Sequence, residues 1–437
     1  MLVVGGIVGS GIFLNPAIVA QRVASARLIM LTWALGAVVA LLGAFIFAEL
    51  GARRPAAGGG YVYLRDAFGP LPAFLYGWAL LLAIATGAAA AVAVTFASYA
   101  APLLGLAPGA EPWLAAIAIV VLSAINAAGV RPGTLTQNVF TILKLAAIAA
   151  LVGSALFAPA LTLAPAMTLA PAPVATSSTP LVLAIGTALV PVLFAYGGWQ
   201  QTNFVAEEMV DAERNLPRAL VIGVVIVAVV YIAVNLTYLR ALGVPALAAS
   251  KAPAADVMGA WFGDTGRRLI AAGIAVSTFG FLNLVILVTP RVYQAMARDG
   301  LFFARFAELH PRTRAPVAAI AVQGFWAIGL LLSGSYGQLL DYVTFADWIF
   351  FGITAATLFV YRRRDVTSAV RYRAPSYPAS VVVFCVACVY VVAGAIASNP
   401  WNAVRGALLL GAGVPVYLYW SRRPRWRAAG PPGNFDR

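Results

Sequence analysis

The sequence predicts an all-α polytopic membrane protein of about twelve transmembrane helices, two of them interrupted. Three observations carry this. Hydrophobic residues make up 62% of the 437 and charged residues only 10%, with a mean hydropathy of +0.90; a soluble domain carries roughly 25% charged residues. Apolar runs of about 20 residues, enough to cross a hydrocarbon layer of about 30 Å, recur too often for a signal peptide plus an anchor. Two of those runs, five spans apart, are split by glycines. Interrupted segments at corresponding positions point to an inverted-repeat transporter with its binding site where the breaks meet.

Reading apolar runs between polar breaks places spans near 1–20, 27–50, 70–102, 113–129, 136–158, 181–205, 217–242, 267–298, 315–333, 336–361, 376–397 and 401–420. With a cytoplasmic N-terminus and every span crossing, twenty-one arginines fall on the inner loops and tail and seven basic residues fall outside. Positive-inside bias therefore sets the orientation, and it accounts for the net charge of +14 without nucleic acid. The whole chain reads as one domain: 1–158 as a first repeat, 181–361 as a second, 376–420 as two further helices and 421–437 as a cytoplasmic tail. Residues 159–180, rich in Pro, Ala and Thr, read as an extracellular linker.

Span one carries Gly5-Gly6-Ile7-Val8-Gly9-Ser10-Gly11-Ile12-Phe13. Glycine lacks the Cβ that restrains φ, so Gly9-Ser10-Gly11 can leave helical geometry and turn backbone N–H and C=O groups sideways. The exposed amides of one half-helix suit an anion and the freed carbonyls of the other suit a cation; a zwitterionic amino acid presents both. Only Met1 to Val8 precede the break, where a half-helix usually has about ten residues and a charged flank. The chain as given is accordingly expected to lack its true start. Span six repeats the interruption at Phe194-Ala195-Tyr196-Gly197-Gly198-Trp199. Glycines also serve close helix packing, but here Asn15 and Pro16 follow just downstream of the first break, which packing motifs seldom show.

The triplet Gly58-Gly59-Gly60 lacks the Gly-Lys-Ser/Thr and the preceding strand of a phosphate loop, so it reads as a tight re-entry. Lys144 lies in mid-span, where a charge is costly unless paired, hydrated or neutral. Asp347 is an acid within span ten, free to meet a polar or cationic group or to be capped by a neighbouring hydroxyl. Glu49, Glu207 and Glu208 sit near inner helix ends as expected partners of arginines, Arg53 and Arg54 among them, that latch the inner side. The only histidine, His310, lies in a loop among arginines. Cys385 and Cys388 fall inside an apolar span, where thiolate chemistry is disfavoured. No cluster has metal-ligand spacing, no nucleophile–base set is visible, and no cofactor is expected.

The pair Gly9-Ser10-Gly11-Ile12-Phe13 and Phe194-Ala195-Tyr196-Gly197-Gly198-Trp199 closely resembles the amino acid–polyamine–organocation superfamily, and within it the L-type amino acid transporters and their prokaryotic relatives. Further matches are Gly59-Gly60-Tyr61-Val62-Tyr63-Leu64-Arg65-Asp66-Ala67-Phe68-Gly69, Asn138-Val139-Phe140-Thr141-Ile142-Leu143-Lys144, and Glu207-Glu208 followed by Arg214-Asn215-Leu216-Pro217-Arg218-Ala219. The resemblance implies ten core helices in two inverted repeats of five, two extra helices, and secondary transport without ATP. It places the substrate α-carboxylate on Gly9, Ser10 and Gly11, and the α-ammonium on the carbonyls of Ile7, Phe194, Ala195 and Gly197. Phe194 is similar to an aromatic gate. Lys144 stands where sodium-coupled relatives keep a cation, near the backbone of Gly5 and Gly6 and near Ser277 or Thr278. Lys144 could cycle a proton and drive symport, or stay charged and make the protein an exchanger.

The resulting expectation is a permease of small or medium neutral L-amino acids in the plasma membrane, or the inner membrane of a bacterium. It is expected to have both termini cytoplasmic, no nucleic-acid ligand and no obligatory protein partner. A cationic amino acid or polyamine antiporter is the alternative. A membrane-embedded enzyme or sensor lacks both a catalytic set and a soluble domain.

Overall fold

The computed structural model describes residues 1–157, 181–333, 336–365, 370–398 and 400–422. The expected extracellular linker and nearly all of the expected tail lie outside the described residues. Among those residues no strand occurs, and the chain is helical almost throughout: α1 (Leu2–Ile7), α2 (Gly11–Val23), α3 (Ala26–Arg53), α4 (Gly60–Phe68), α5 (Pro70–Ala79), α6 (Ala85–Leu103), α7 (Glu111–Ala127) and α8 (Val130–Phe157). The second half holds α9 (Leu181–Tyr196), α10 (Ala212–Ala249), α11 (Pro253–Val288), α12 (Pro290–Arg298), α13 (Val317–Ser333), α14 (Tyr336–Arg364), α15 (Ala379–Ser398) and α16 (Pro400–Ser421).

Every apolar run of the sequence lies on one of these helices or on an end-to-end pair. Run one divides into α1 and α2, and run six into α9 and a 3-10 stretch at Trp199–Glu208. Run three is α5 and α6 joined by a π turn at Leu80–Ile84, where the Thr86 hydroxyl donates to the Leu81 carbonyl five residues back at 2.7 Å. Three helices reach further than their apolar runs. α8 starts at Val130, α10 extends over Ala212–Ala249, and α11 begins at Pro253. The extensions of α10 and α11 bend at Gly243 and Gly263, whose φ of 68° and 59° only glycine adopts freely. Proline opens α5, α11 and α12, where its missing N–H costs nothing.

Seven described helical segments are long and apolar enough to cross a membrane, and α7 and α13 are shorter apolar helices. The protein is an all-α polytopic membrane protein. Helices five spans apart pack against each other: α2 on α9, α3 on α10, and α6 on α11. Small residues let the backbones approach, since lipid supplies no hydrophobic drive between helices. At Gly273 on α11, an added Cβ would lie 2.6 Å from the Ala147 Cβ on α8.

Gly273→Val is therefore expected to lower stability by about 1–3 kcal/mol through overpacking. Gly329→Val, where nothing lies within 4 Å of the added atom, should leave the thermal midpoint in detergent unchanged.

Candidate functional site

The first break begins where α1 ends. Val8 leaves helical geometry (φ −76°, ψ 94°), and α2 restarts at Gly11 behind an N-cap Ser10 whose side chain makes no cap bond. Among the described residues the amides of Gly9, Ser10 and Gly11 have no backbone acceptor, as the first turn of a helix requires. The second break follows Tyr196: Gly198 adopts φ +105° and the chain continues as a 3-10 helix.

The two breaks touch. A Cβ on Gly198 would overlap the Gly6 carbonyl oxygen, and one on Gly11 would lie 2.8 Å from the Ala195 Cα. Glycine at 198 is thus required twice, by its φ and by the neighbouring chain. Asn15 ties α2 to α9 by donating to the Pro191 carbonyl at 2.7 Å.

Between the breaks lies a cavity of about 70 Å³. Ile7, Gly9, Ser10, Gly11, Phe194, Ala195, Gly197 and Asp347, the eight substrate residues expected from the sequence, all line it. Tyr76, Gln200, Gln201, Phe281, Trp348 and Phe351 complete much of the wall, and sequence reasoning singled out none of these six. Among the described residues no donor or cation pairs with the Asp347 carboxylate.

Some of the carbonyls freed by the breaks already hold a donor. The Tyr231 hydroxyl on α10 lies 3.1 Å from the Ile7 carbonyl oxygen and 3.2 Å from that of Ala195. The Phe194 carbonyl accepts from the Gly197 amide at 3.2 Å. A carbonyl oxygen has a second lone pair, so each can accept once more. Tyr231 was missed from sequence, although a tyrosine in an apolar run must find a partner for its hydroxyl and so carries a signal.

Lys144, Ser277 and Thr278 lie apart from the cavity wall. The Lys144 ammonium, fully buried, donates to the carbonyls of Gly5 at 3.0 Å and Val8 at 2.7 Å, so a cation sits on the negative end of α1. Ser277 reaches the same turn, 3.4 Å from the Val8 oxygen and 3.5 Å from that of Gly9. Thr278 does not reach it; its hydroxyl back-bonds to Ile274 and Ala275 in its own helix.

At the arginine-rich end the three glutamates all find arginines; of the two named from the sequence, Arg53 is among them and Arg54 is not. Glu49, wholly buried on α3, accepts from Arg53 (2.8 Å), Arg362 (2.6 Å) and the Ala374 amide (2.7 Å). Glu208 pairs with Arg291 at 2.9 Å and Glu207 with Arg298 at 3.6 Å, both from α12. Arg54 turns to Asp66 and Asp365. Arg65, in the connecting helix α4, pairs with Asp299 at 2.6 Å and with Asp66. Burial works against its charge, but the two carboxylates prevail and raise its pKa. His310 accepts from the Thr313 amide within its loop.

A family model described as amino acid permease matches residues 1–411. The chain is 32% identical to the mouse b(0,+)-type amino acid transporter 1, an alignment covering 95% of this chain and 85% of the relative. The rat protein of the same name is 33% identical over 97% and 87%. Mouse large neutral amino acids transporter small subunit 2 is 30% identical over 97% and 80%.

Glu49→Ala would leave the Arg53 cation buried without its main partner, at a cost of about 3–5 kcal/mol. The expected result is a large fall in thermal midpoint, read by unfolding in detergent, with Glu207→Ala at a half-exposed pair nearly silent.

Proposed function

Because the chain belongs to the amino acid permease family, we propose that it carries small or medium neutral L-amino acids by alternating access around the paired breaks. It is a transporter of amino acids and not an enzyme. The observation that carries the finer reading is the contact of two broken helices around a cavity rimmed by amides without backbone acceptors. An α-carboxylate would lie on the Gly9, Ser10 and Gly11 amides, where the dipole of α2 adds to hydrogen bonding. An α-ammonium would take the remaining lone pairs of the Ile7, Phe194, Ala195 and Gly197 carbonyls. None of these contacts reads the side chain.

The unpaired Asp347 favours a second reading, a cationic amino acid or polyamine whose charged end faces that carboxylate. The relatives divide on this point, one being named for b(0,+)-type and the other for large neutral amino acid transport.

Lys144 closes the end of α1 with its amino group; if it keeps its proton throughout the cycle the protein works as an exchanger, and proton symport would require Lys144 to release that proton in each cycle. We place both termini in the cytoplasm of a plasma membrane, or of a bacterial inner membrane, on the arginine bias. We also propose that the chain works without an obligatory protein partner. Both of its cysteines lie within the apolar helix α15, which supports that reading. The mouse relative is itself named a small subunit, and co-purification from native membrane tests the difference.

Uptake of labelled alanine, leucine, arginine and putrescine into proteoliposomes, with and without internal amino acid and a pH gradient, tests these readings together. Alanine and leucine uptake stimulated by internal amino acid is expected; no uptake of any amine-bearing solute would defeat the proposal.

Gly11→Leu is expected to abolish binding without preventing membrane insertion, since even a Cβ there meets Ala195; isothermal titration of the purified variant reads this. Lys144→Ala should lower transport at least about tenfold at every pH, because it removes the cation from two buried carbonyls. Asp347→Asn should change the ratio of arginine to alanine uptake more than it changes alanine affinity.

A further inference from the structure

A second, larger concavity opens on the outside of the helical bundle. It has a volume of about 680 Å³ and lies between α3, the start of α10 and the segment before α15. Its polar end holds Arg214, Arg218, Arg371 and Glu213, and its apolar end holds Phe45, Val221 and Ile222. Arg371 pairs with Asp211 at 3.3 Å and Glu213 at 3.6 Å, so both nearby carboxylates are engaged. Arg214 and Arg218 are exposed, one helical turn apart on the same face, and neither has a carboxylate partner among the described residues.

The same face of α10 continues as exposed apolar residues: Ile222 at 57%, Val225 at 43% and Val229 at 65%. From Arg218 to Val229 the helix rises about 16 Å, close to half of a hydrocarbon layer of about 30 Å. Across the groove, α3 contributes Phe45 and, further along, Val38. Two free cations at one end of an apolar channel one leaflet long match an anionic headgroup with its acyl chain. They do not match a soluble anion, which has no use for the channel, or a zwitterionic lipid, whose own cation would face the arginines.

We propose that this groove is a site for one anionic phospholipid, its phosphate held by Arg214 and Arg218 and an acyl chain lying along α10 against Phe45. The charged end lies at the arginine-rich face of the molecule, which is where the anionic leaflet of a cell membrane would meet it.

Native mass spectrometry of the purified chain, titrated with phosphatidylglycerol and with phosphatidylcholine of identical acyl chains, tests the site. Expected is one phosphatidylglycerol retained at least about tenfold more tightly than phosphatidylcholine. The double variant Arg214→Ala, Arg218→Ala should abolish that preference, and Arg131→Ala, at an exposed arginine in the first turn of α8, should keep it. Equal retention of the two lipids by the unaltered chain, or an unchanged preference in the double variant, would overturn the proposal. So would displacement of the lipid by inorganic phosphate at a similar concentration. Should the double variant not fold, phosphatidylglycerol with a photoreactive acyl chain is crosslinked to the unaltered chain. Adducts on residues 38–45 or 221–229 support the site, and adducts confined to other helices overturn it.

Discussion

A helix that stops in mid-membrane exposes donors and acceptors that hydrocarbon cannot satisfy, and the rest of this structure follows from how those groups are met. The two broken helices meet each other first, with Gly198 pressed against the Gly6 carbonyl and Gly11 against Ala195. Lys144, Ser277 and Tyr231 then come from three surrounding helices to hold what the contact leaves open. What remains without a backbone partner among the described residues is the row of amides at Gly9, Ser10 and Gly11, residues that line the cavity. A site built this way needs few polar side chains. What the breaks leave open is main chain, and the side chains around them mostly hold the freed carbonyls.

The ionic end of the molecule is organised on a different basis. Glu49 is buried with several donors, and its partners come from α3 itself, from the end of α14 and from the segment before α15. The pairs from Glu207 and Glu208 reach α12 instead. Helices that carry the breaks are thereby joined to helices that do not. Only the Glu49 cluster is buried, and so costly to break on one side; the Glu207 pair is half-exposed and adds little.

Fold class was legible in the sequence because hydropathy in a membrane protein reports the solvent directly. Both breaks were legible because glycine clusters are conspicuous in apolar runs. Helix ends were less so: α10 and α11 extend past their apolar runs, since Gly243 and Gly263 bend those helices without ending them and no composition rule separates a bend from a stop. Lys144 could be found because a buried charge demands a partner. Gln200, Gln201 and Trp348 could not, because whether such residues face a cavity depends on the rotation of their helices. Which arginines Glu207 and Glu208 would meet was not legible for a related reason: only the fold brings α12 alongside them.

The phenol of Tyr231 stands almost equally far from the oxygen of Ile7 and the oxygen of Ala195. It owns a single hydrogen and cannot serve both in full. At any instant one of the two oxygens takes that hydrogen while the other keeps a lone pair free, so a single phenol spans both broken helices without fully satisfying either.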